Sequence, residues 1–400
     1  MIQDLLALVQ KDYAKKYKDP EDKLELEFGN EAKPATGIIV DNPLLEYILD
    51  RRFLAYGRCY LTYGKKGNSK TSLFFNLATL FQKHGGDVIW IETEKAADLD
   101  YAAKQGVDLS RLVIPKVDTL QEALTVAEAF IKQLPRAYPQ GDTPVLVCLD
   151  SIAGAIPEYE VQEGITVGET KVGEHARLMS GFYRLIIHPL AYEKCIFLAL
   201  NQLKVAIGKT SFGGEEAEAL IGGDAQRFHS TYQFKVTRTA DMVQQKENGA
   251  KRKIGSKHEI TCKRNKLGRE GNSQKVEFDL YINGGIDWYS PLVRKLKMEY
   301  KTLVGFSGGY VNWEIPGVMY DEIQEDGSKV QKEIPTTNVR EAELAKILSN
   351  SPQAKELIRK EFEIPDLPPQ EVVEAIEKER KKKRGRPKKD IDPSAPQDEL

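Results

Sequence analysis

From residue 56 onward, short apolar runs alternate with segments whose apolar positions recur at helical spacing. RCYLTY (58–63), DVIWIE (87–92), PVLVCLD (144–150) and CIFLALNQ (195–202) read as strands. Between them, residues 72–85, 120–134 and 175–192 read as helices. The first ends at Gly85-Gly86, and Pro189 bends or ends the last. Strands that are apolar throughout and alternate with helices predict a parallel sheet covered on both faces, an α/β core. Further strands at 232–239, 258–265 and 275–282 read as an antiparallel extension with a basic turn at 264–272.

The flanks have a different texture. Ile2, Leu5, Leu6, Leu8, Val9 and Tyr13 fall at roughly helical spacing, which predicts a short amphipathic helix over 1–17. It packs either on its own domain or on a neighbour. Residues 18–34 are charged and loop-like, and 291–376 read as short helices and turns. The segment 377–400 is a charge run with prolines, read as a disordered basic tail. The expected organisation is an N-terminal helix and linker over 1–34, a core over 35–290, a small C-terminal domain over 291–376, and the tail.

Composition narrows the class. The 400 residues are 41% hydrophobic and 30% charged, which suits a globular chain with a substantial core. A net charge of −2 gives the whole chain no nucleic-acid signature, so an anionic partner must be met by local basic patches. Cys59, Cys148, Cys195 and Cys262 are far apart and lie in or beside apolar runs. They read as buried, reduced thiols, which points to the cytosol. The N-terminus does not read as a signal peptide, and no apolar run approaches a membrane span.

The candidate chemistry begins at YGKKGNSKTS (63–72), close to the phosphate-loop pattern G-x-x-x-x-G-K-[ST]. Gly64 opens it, Lys65, Lys66, Gly67 and Asn68 follow, and Lys70-Thr71 close it ahead of Ser72. A turn between strand and helix aims backbone N–H groups at one point, and the helix N-terminus adds positive potential. Lys70 reaches the outer phosphates and the Thr71 hydroxyl binds Mg²⁺ in such a loop. Ser69 stands where the second glycine belongs, a change that is tolerable if its φ is below zero. Asp150, at the end of an apolar strand, suits the metal side of the site. Glu92 and Glu94 both stand at the carboxyl end of another strand, and either suits a general base.

Four separated stretches, in order, carry a resemblance: the loop with WIETEKAADLDYAAKQGVDLSRL, VCLDSIAGAIP, LALNQLKVAIG and LIGGDAQRFHS. Over roughly 36–290 the chain resembles the RecA recombinase family, and its serine at the loop and its distinct C-terminal part resemble the phage UvsX branch. The resemblance implies a RecA-type P-loop ATPase core using ATP and Mg²⁺. It places catalysis at Glu94, adenine contacts at Asp98 and Tyr101, and γ-phosphate sensing at Asn201-Gln202. Arg264 and Lys266 then reach the ATP of the adjacent subunit. Loops at about 157–173 and 203–223 meet DNA, with contacts at Lys204, Gly222 and Gly223, and with Arg177 and Arg184 on the helix after the first loop. Glu215, Glu216 and Glu218 depart from a simple basic loop, and RGRP (384–387) resembles a minor-groove hook.

The implied function is an ATP-dependent strand-exchange recombinase acting in homologous recombination, recombination-dependent replication and DNA repair. Its implied partners are single- and double-stranded DNA, further copies of itself in a helical filament, and single-strand-binding and loader proteins in the host cytoplasm. A ring helicase on the same core, or a mediator that binds ATP and DNA without turnover, are the alternatives.

Overall fold

The computed structural model describes residues 9–11, 13, 15, 34–162, 173–210, 216–245, 250–268, 274–307 and 309–384. Most of the expected docking helix over 1–17, most of the first loop and residues 385–400, with most of the RGRP motif, lie outside the described residues.

A ten-stranded sheet organises the molecule. Leu112–Val113, Asp87–Glu92, Val145–Asp150, Cys195–Thr210, Arg58–Gly64 and Tyr232–Gln245 lie side by side and parallel. Lys251–Asn265, Lys275–Tyr281 and Gly285–Asp287 then continue it antiparallel. The strand expected at 232–239 is therefore the seam. It pairs parallel with Arg58–Gly64 on one side and antiparallel with Lys251–Asn265 on the other.

The central strands are buried on both faces, and successive side chains enter two different cores. Val88 and Trp90 join one apolar cluster, Ile89 and Ile91 the other; Leu146 and Cys148 oppose Val147 and Leu149 in the same way. The first face is covered by Lys70–Lys83, the second by Leu120–Ala137 and Glu174–Ala191. Helix Leu120–Ala137 starts at a capping box in which Thr119 and Glu122 satisfy each other's backbone N–H groups. Its Ala123, Ala127, Ile131 and Leu134 face inward. Pro189 lies in the last turn of Glu174–Ala191, which stops two residues later; it withholds the N–H that would bond the carbonyl of exposed Leu185.

The C-terminal part differs from the expected helices and turns. It contains two hairpins, Val304–Ser307 with Tyr310–Trp313 and Met319–Ile323 with Lys329–Glu333. Helix Gln370–Arg384 also enters the segment expected to be a disordered tail. Glu and Lys are good helix formers, and Glu377 and Lys381 pair with Lys194 at 2.6 Å and Asp142 at 2.8 Å on the sheet core.

A buried ion cluster ties this part to the core. Asn42 caps helix Pro43–Leu49 by accepting from the N–H groups of Leu44 and Leu45. Inside that helix Glu46 is fully buried and receives Arg359 through Nε at 2.6 Å and Nη2 at 2.7 Å. Arg359 and Lys355, both on helix Pro352–Glu361, also reach Asp41 at 2.9 Å. Replacing Arg359 with Ala leaves the Glu46 carboxylate buried without its cation, and should cost about 3–5 kcal/mol in denaturant unfolding. The double change E46L/R359M should recover part of that loss. Equal losses would show that packing, not the charge pair, holds the contact.

Candidate functional site

The parallel strands end along one edge, where ligands bind in sheets of this kind. Gly64 is level with Gln202 there, and Glu92 with Asp150. Gly64 is packed against the neighbouring strand so closely that a Cβ on it would come within 2.3 Å of the Val236 carbonyl. The chain then turns through exposed Lys65, Lys66 and Gly67, Gly67 with φ +79°. Asn68 donates to the Val236 carbonyl at 2.8 Å and ties the turn to the sheet.

Ser69 does not meet the condition of a φ below zero. Its φ of 58° and ψ of 31° are left-handed, the conformation that glycine adopts without strain. Lys70 opens helix Lys70–Lys83 and folds back, donating to the carbonyls of Lys65 at 3.0 Å and Gly64 at 3.3 Å. Burial lowers its pKa, while Asp150 and Glu94 oppose that effect. Ser72 is buried, its hydroxyl 3.0 Å from that of Tyr101.

Two acids meet the loop. Thr71 donates to Asp150 at 2.9 Å. Burial pushes the Asp150 carboxyl up to about 6, with repulsion from Glu94 and Glu92 adding to it and the Thr71 hydrogen bond opposing it. The geometry also separates Glu92 from Glu94. Glu92 accepts from the backbone N–H of Glu94 at 2.7 Å and of Ala96 at 3.2 Å, so its carboxylate shapes the turn. Glu94 accepts from Ser151 Oγ and from Gln202 Nε2, each at 2.8 Å. Gly154 leaves it room, since a Cβ there would lie 2.5 Å from Glu94 Cγ. Lys66, Lys70, Thr71, Glu94, Asp150 and Gln202 line one cavity of about 390 Å³.

A divalent cation fits this arrangement only together with a ligand. Among the described residues no group of three or more His, Cys, Asp or Glu side chains could hold a metal. Thr71 and Asp150 offer two oxygens, and phosphate oxygens and water complete the usual shell of magnesium.

The cavity continues beside Asp98 and Tyr101. Asp98 caps helix Leu99–Lys104 by accepting from the Tyr101 N–H at 2.8 Å. Both residues also line a second cavity of about 360 Å³, whose other walls include Ser256, Tyr281, Ile282 and Asn283. Sequence reading missed these. The one local signal was an aromatic residue at a strand end just before glycines, in YINGG.

Behind Gln202 lies a buried amide network. Asn201 Oδ1 accepts from the Gln202 N–H at 2.8 Å, while its Nδ2 donates to the Ile221 carbonyl and to Gln226 Oε1, both at 2.7 Å. Gln226 Nε2 donates to the carbonyls of Ile221 at 2.6 Å and Gly223 at 2.9 Å. The turn at Gly222 and Gly223, with φ of +82° and +71°, is thereby tied to Asn201 and Gln202 on strand Cys195–Thr210. Gly223 packs on Ala176, one residue before exposed Arg177 on Glu174–Ala191; Arg184 is exposed on the same helix.

The second loop is not structureless over its described length. Cys195–Thr210 pairs antiparallel with Glu216–Leu220, placing the Lys204 backbone opposite Ala219. Only Glu216–Leu220 alternates in polarity, and backbone pairing supplies the order. Residues 211–215 lie outside the described residues. Arg264 and Lys266 are not brought to the cavity. Arg264 donates to the Arg227 carbonyl at 3.3 Å, and Lys266 donates to that of Phe228 at 2.5 Å while lying over its ring. Phe228 itself is 68% exposed.

The family model described as the RecA N-terminal domain matches residues 35–287. The chain is 31% identical over 230 residues to Protein RecA of Geobacter sulfurreducens, covering 58% of this chain and 62% of that protein. It is 33% identical over 230 residues to Protein RecA of Clostridium beijerinckii, covering 58% of each. To that of Clostridium acetobutylicum it is also 33% identical, covering 58% of this chain and 60% of the relative. The match thus spans about three fifths of the length of these curated relatives. With a family model covering well over half of the chain and the sheet arranged as described, the protein belongs to the RecA family.

Proposed function

We propose that the protein is an ATP-dependent DNA strand-exchange recombinase that assembles as a helical filament on single-stranded DNA. The observation that carries this reading is the position of Glu94, held between Ser151 and Gln202 in the cavity that also contains Lys70, Thr71 and Asp150. Backbone N–H groups of 65–71 and the Lys70 ammonium bind the β- and γ-phosphates. Thr71 and Asp150 hold magnesium, which neutralises phosphate charge when bound. Glu94 orients and deprotonates the attacking water, and Gln202 registers the γ-phosphate. The adenine lies between Tyr101 and Tyr281, beside Asp98.

Arg264 and Lys266 line no wall of their own nucleotide cavity, which supports their reaching the ATP of an adjacent copy. A head-to-tail contact of that kind generates an open helix when its rotation does not close. Residues 1–34 are the docking segment, 35–290 the core, 291–376 a small C-terminal domain and 377–400 a basic arm. Arg177, Arg184, Lys204, Gly222 and Gly223 hold DNA phosphates, and single-strand-binding and loader proteins assist in the cytoplasm. The serine at 69 supports placement in the UvsX branch, with roles in recombination-dependent replication and repair. Among the described residues no helix is long and apolar enough to cross a membrane.

A DNA-stimulated ATPase assay combined with electron microscopy tests the reading. Filaments with turnover are expected; rings would favour a helicase, and filaments without turnover a mediator. Lys70→Ala should abolish ATP-dependent DNA binding. Glu94→Gln should retain ATP and filaments while hydrolysis falls by about 10²–10⁴-fold; unchanged hydrolysis would remove Glu94 from catalysis. Arg184→Ala should lower single-strand affinity equally for all sequences and reduce the salt slope by about one. An unchanged slope would leave that arginine a solvated helix charge.

A further inference from the structure

His258 lies in the interior of the sheet, outside the set of residues just assigned. It sits on strand Lys251–Asn265, fully buried, with its ring stacked on Phe278 at 4.8 Å and 12°. Phe278 in turn packs on Trp288, whose Nε1 donates to Asn76 on the phosphate-loop helix at 3.2 Å. The imidazole is thus held rigidly from one side. On the other side its Nε2 is 2.9 Å from Ser256 Oγ and 3.2 Å from Ser69 Oγ. Its Nδ1 is buried with no hydrogen-bond partner among the described residues.

We propose that His258 is a positioning residue for nucleotide binding, clamping Ser69 in the left-handed conformation that the phosphate loop requires. The inference rests on the nucleotide reading of the loop. A turn that aims consecutive N–H groups at phosphate needs a residue of positive φ, which glycine supplies freely and serine resists. The Ser69 side chain, which the usual glycine lacks, provides a handle, and His258 holds that handle. Burial, with Arg238 nearby, pushes the imidazole down to about 4, so the ring is neutral at pH 7. An orphaned buried N–H is rarer than an orphaned acceptor, which places the proton on Nε2 and leaves the lone pair on Nδ1. The ring then donates to both serine hydroxyls. Asn68, bonded to Val236 on the adjacent strand, forms a second tie between the loop and the same hairpin.

The test is a double-mutant cycle on the full chain, read by titration with a fluorescent ADP analogue and Mg²⁺. His258→Phe keeps the stack on Phe278 and removes the nitrogen. It should weaken binding about five- to tenfold while apo thermal unfolding stays cooperative. His258→Gln, which restores an amide donor, should recover most of the affinity. S69G/H258F should lie within about twofold of Ser69→Gly, because a glycine needs no clamp. Unchanged binding in His258→Phe, or an equal loss with and without Ser69→Gly, overturns the clamp while leaving the nucleotide site standing. A wild type that binds no nucleotide removes both.

Discussion

Parallel pairing of the central strands is the constraint on which the site depends. Parallel strands present all their carboxyl ends along one edge, and the register brings specific residues level there. Gly64 is opposite Gln202, and Glu92 is opposite Asp150. A slip of one residue would turn each strand's inward set to the opposite face. It would exchange Leu146 and Cys148 with Val147 and Leu149 between two differently shaped cores. The packing that stabilises the sheet therefore also fixes the distances among loop, acids and sensor amide.

The electrostatics follow from that crowding. Asp150 and Glu94 face one cavity with Lys70, and Asp150 is buried enough that its carboxyl rises to about 6. A bound nucleotide would add negative charge to a cavity already lined by Glu92, Glu94, Asp98 and Asp150. On the proposed reading, a divalent cation would offset part of that charge.

Much of this was legible in the chain itself, because helical and strand periods reflect burial directly. The four apolar runs fall on four parallel strands, and Glu174–Ala191 and Leu120–Ala137 fall where their spacing put them. What failed depends on long-range partners. The strand Tyr232–Gln245 is parallel on one side only because it meets Arg58–Gly64, distant in sequence. The pairing of Cys195–Thr210 with Glu216–Leu220 and the hairpins of the C-terminal part draw on backbone hydrogen bonds, to which composition gives little clue. Glu92 and Glu94 look equivalent in a string and both line the cavity; Glu92 is held by two backbone N–H groups, Glu94 by the side chains of Ser151 and Gln202. The left-handed backbone of Ser69 could not be read locally either, since its hydroxyl meets a histidine 189 residues away.

The amide network behind Gln202 bears on how one site influences another. Asn201 and Gln226 are fully buried, and their hydrogen bonds leave little slack: together they link the Gln202 N–H to the carbonyls of Ile221 and Gly223. If Gln202 moves to follow a phosphate, the Asn201 backbone beside it moves as well, and either the Ile221 carbonyl follows or a buried bond opens. An unsatisfied buried polar group costs roughly 1–3 kcal/mol, the same size as typical coupling free energies of about 1–3 kcal/mol between ligand sites. One strained amide is therefore sufficient to link the nucleotide cavity to the Gly222–Gly223 turn in the proposed recombinase. Since coupling between binding equilibria is reciprocal, DNA held at that turn would strengthen ATP binding by the same factor by which ATP strengthens DNA binding.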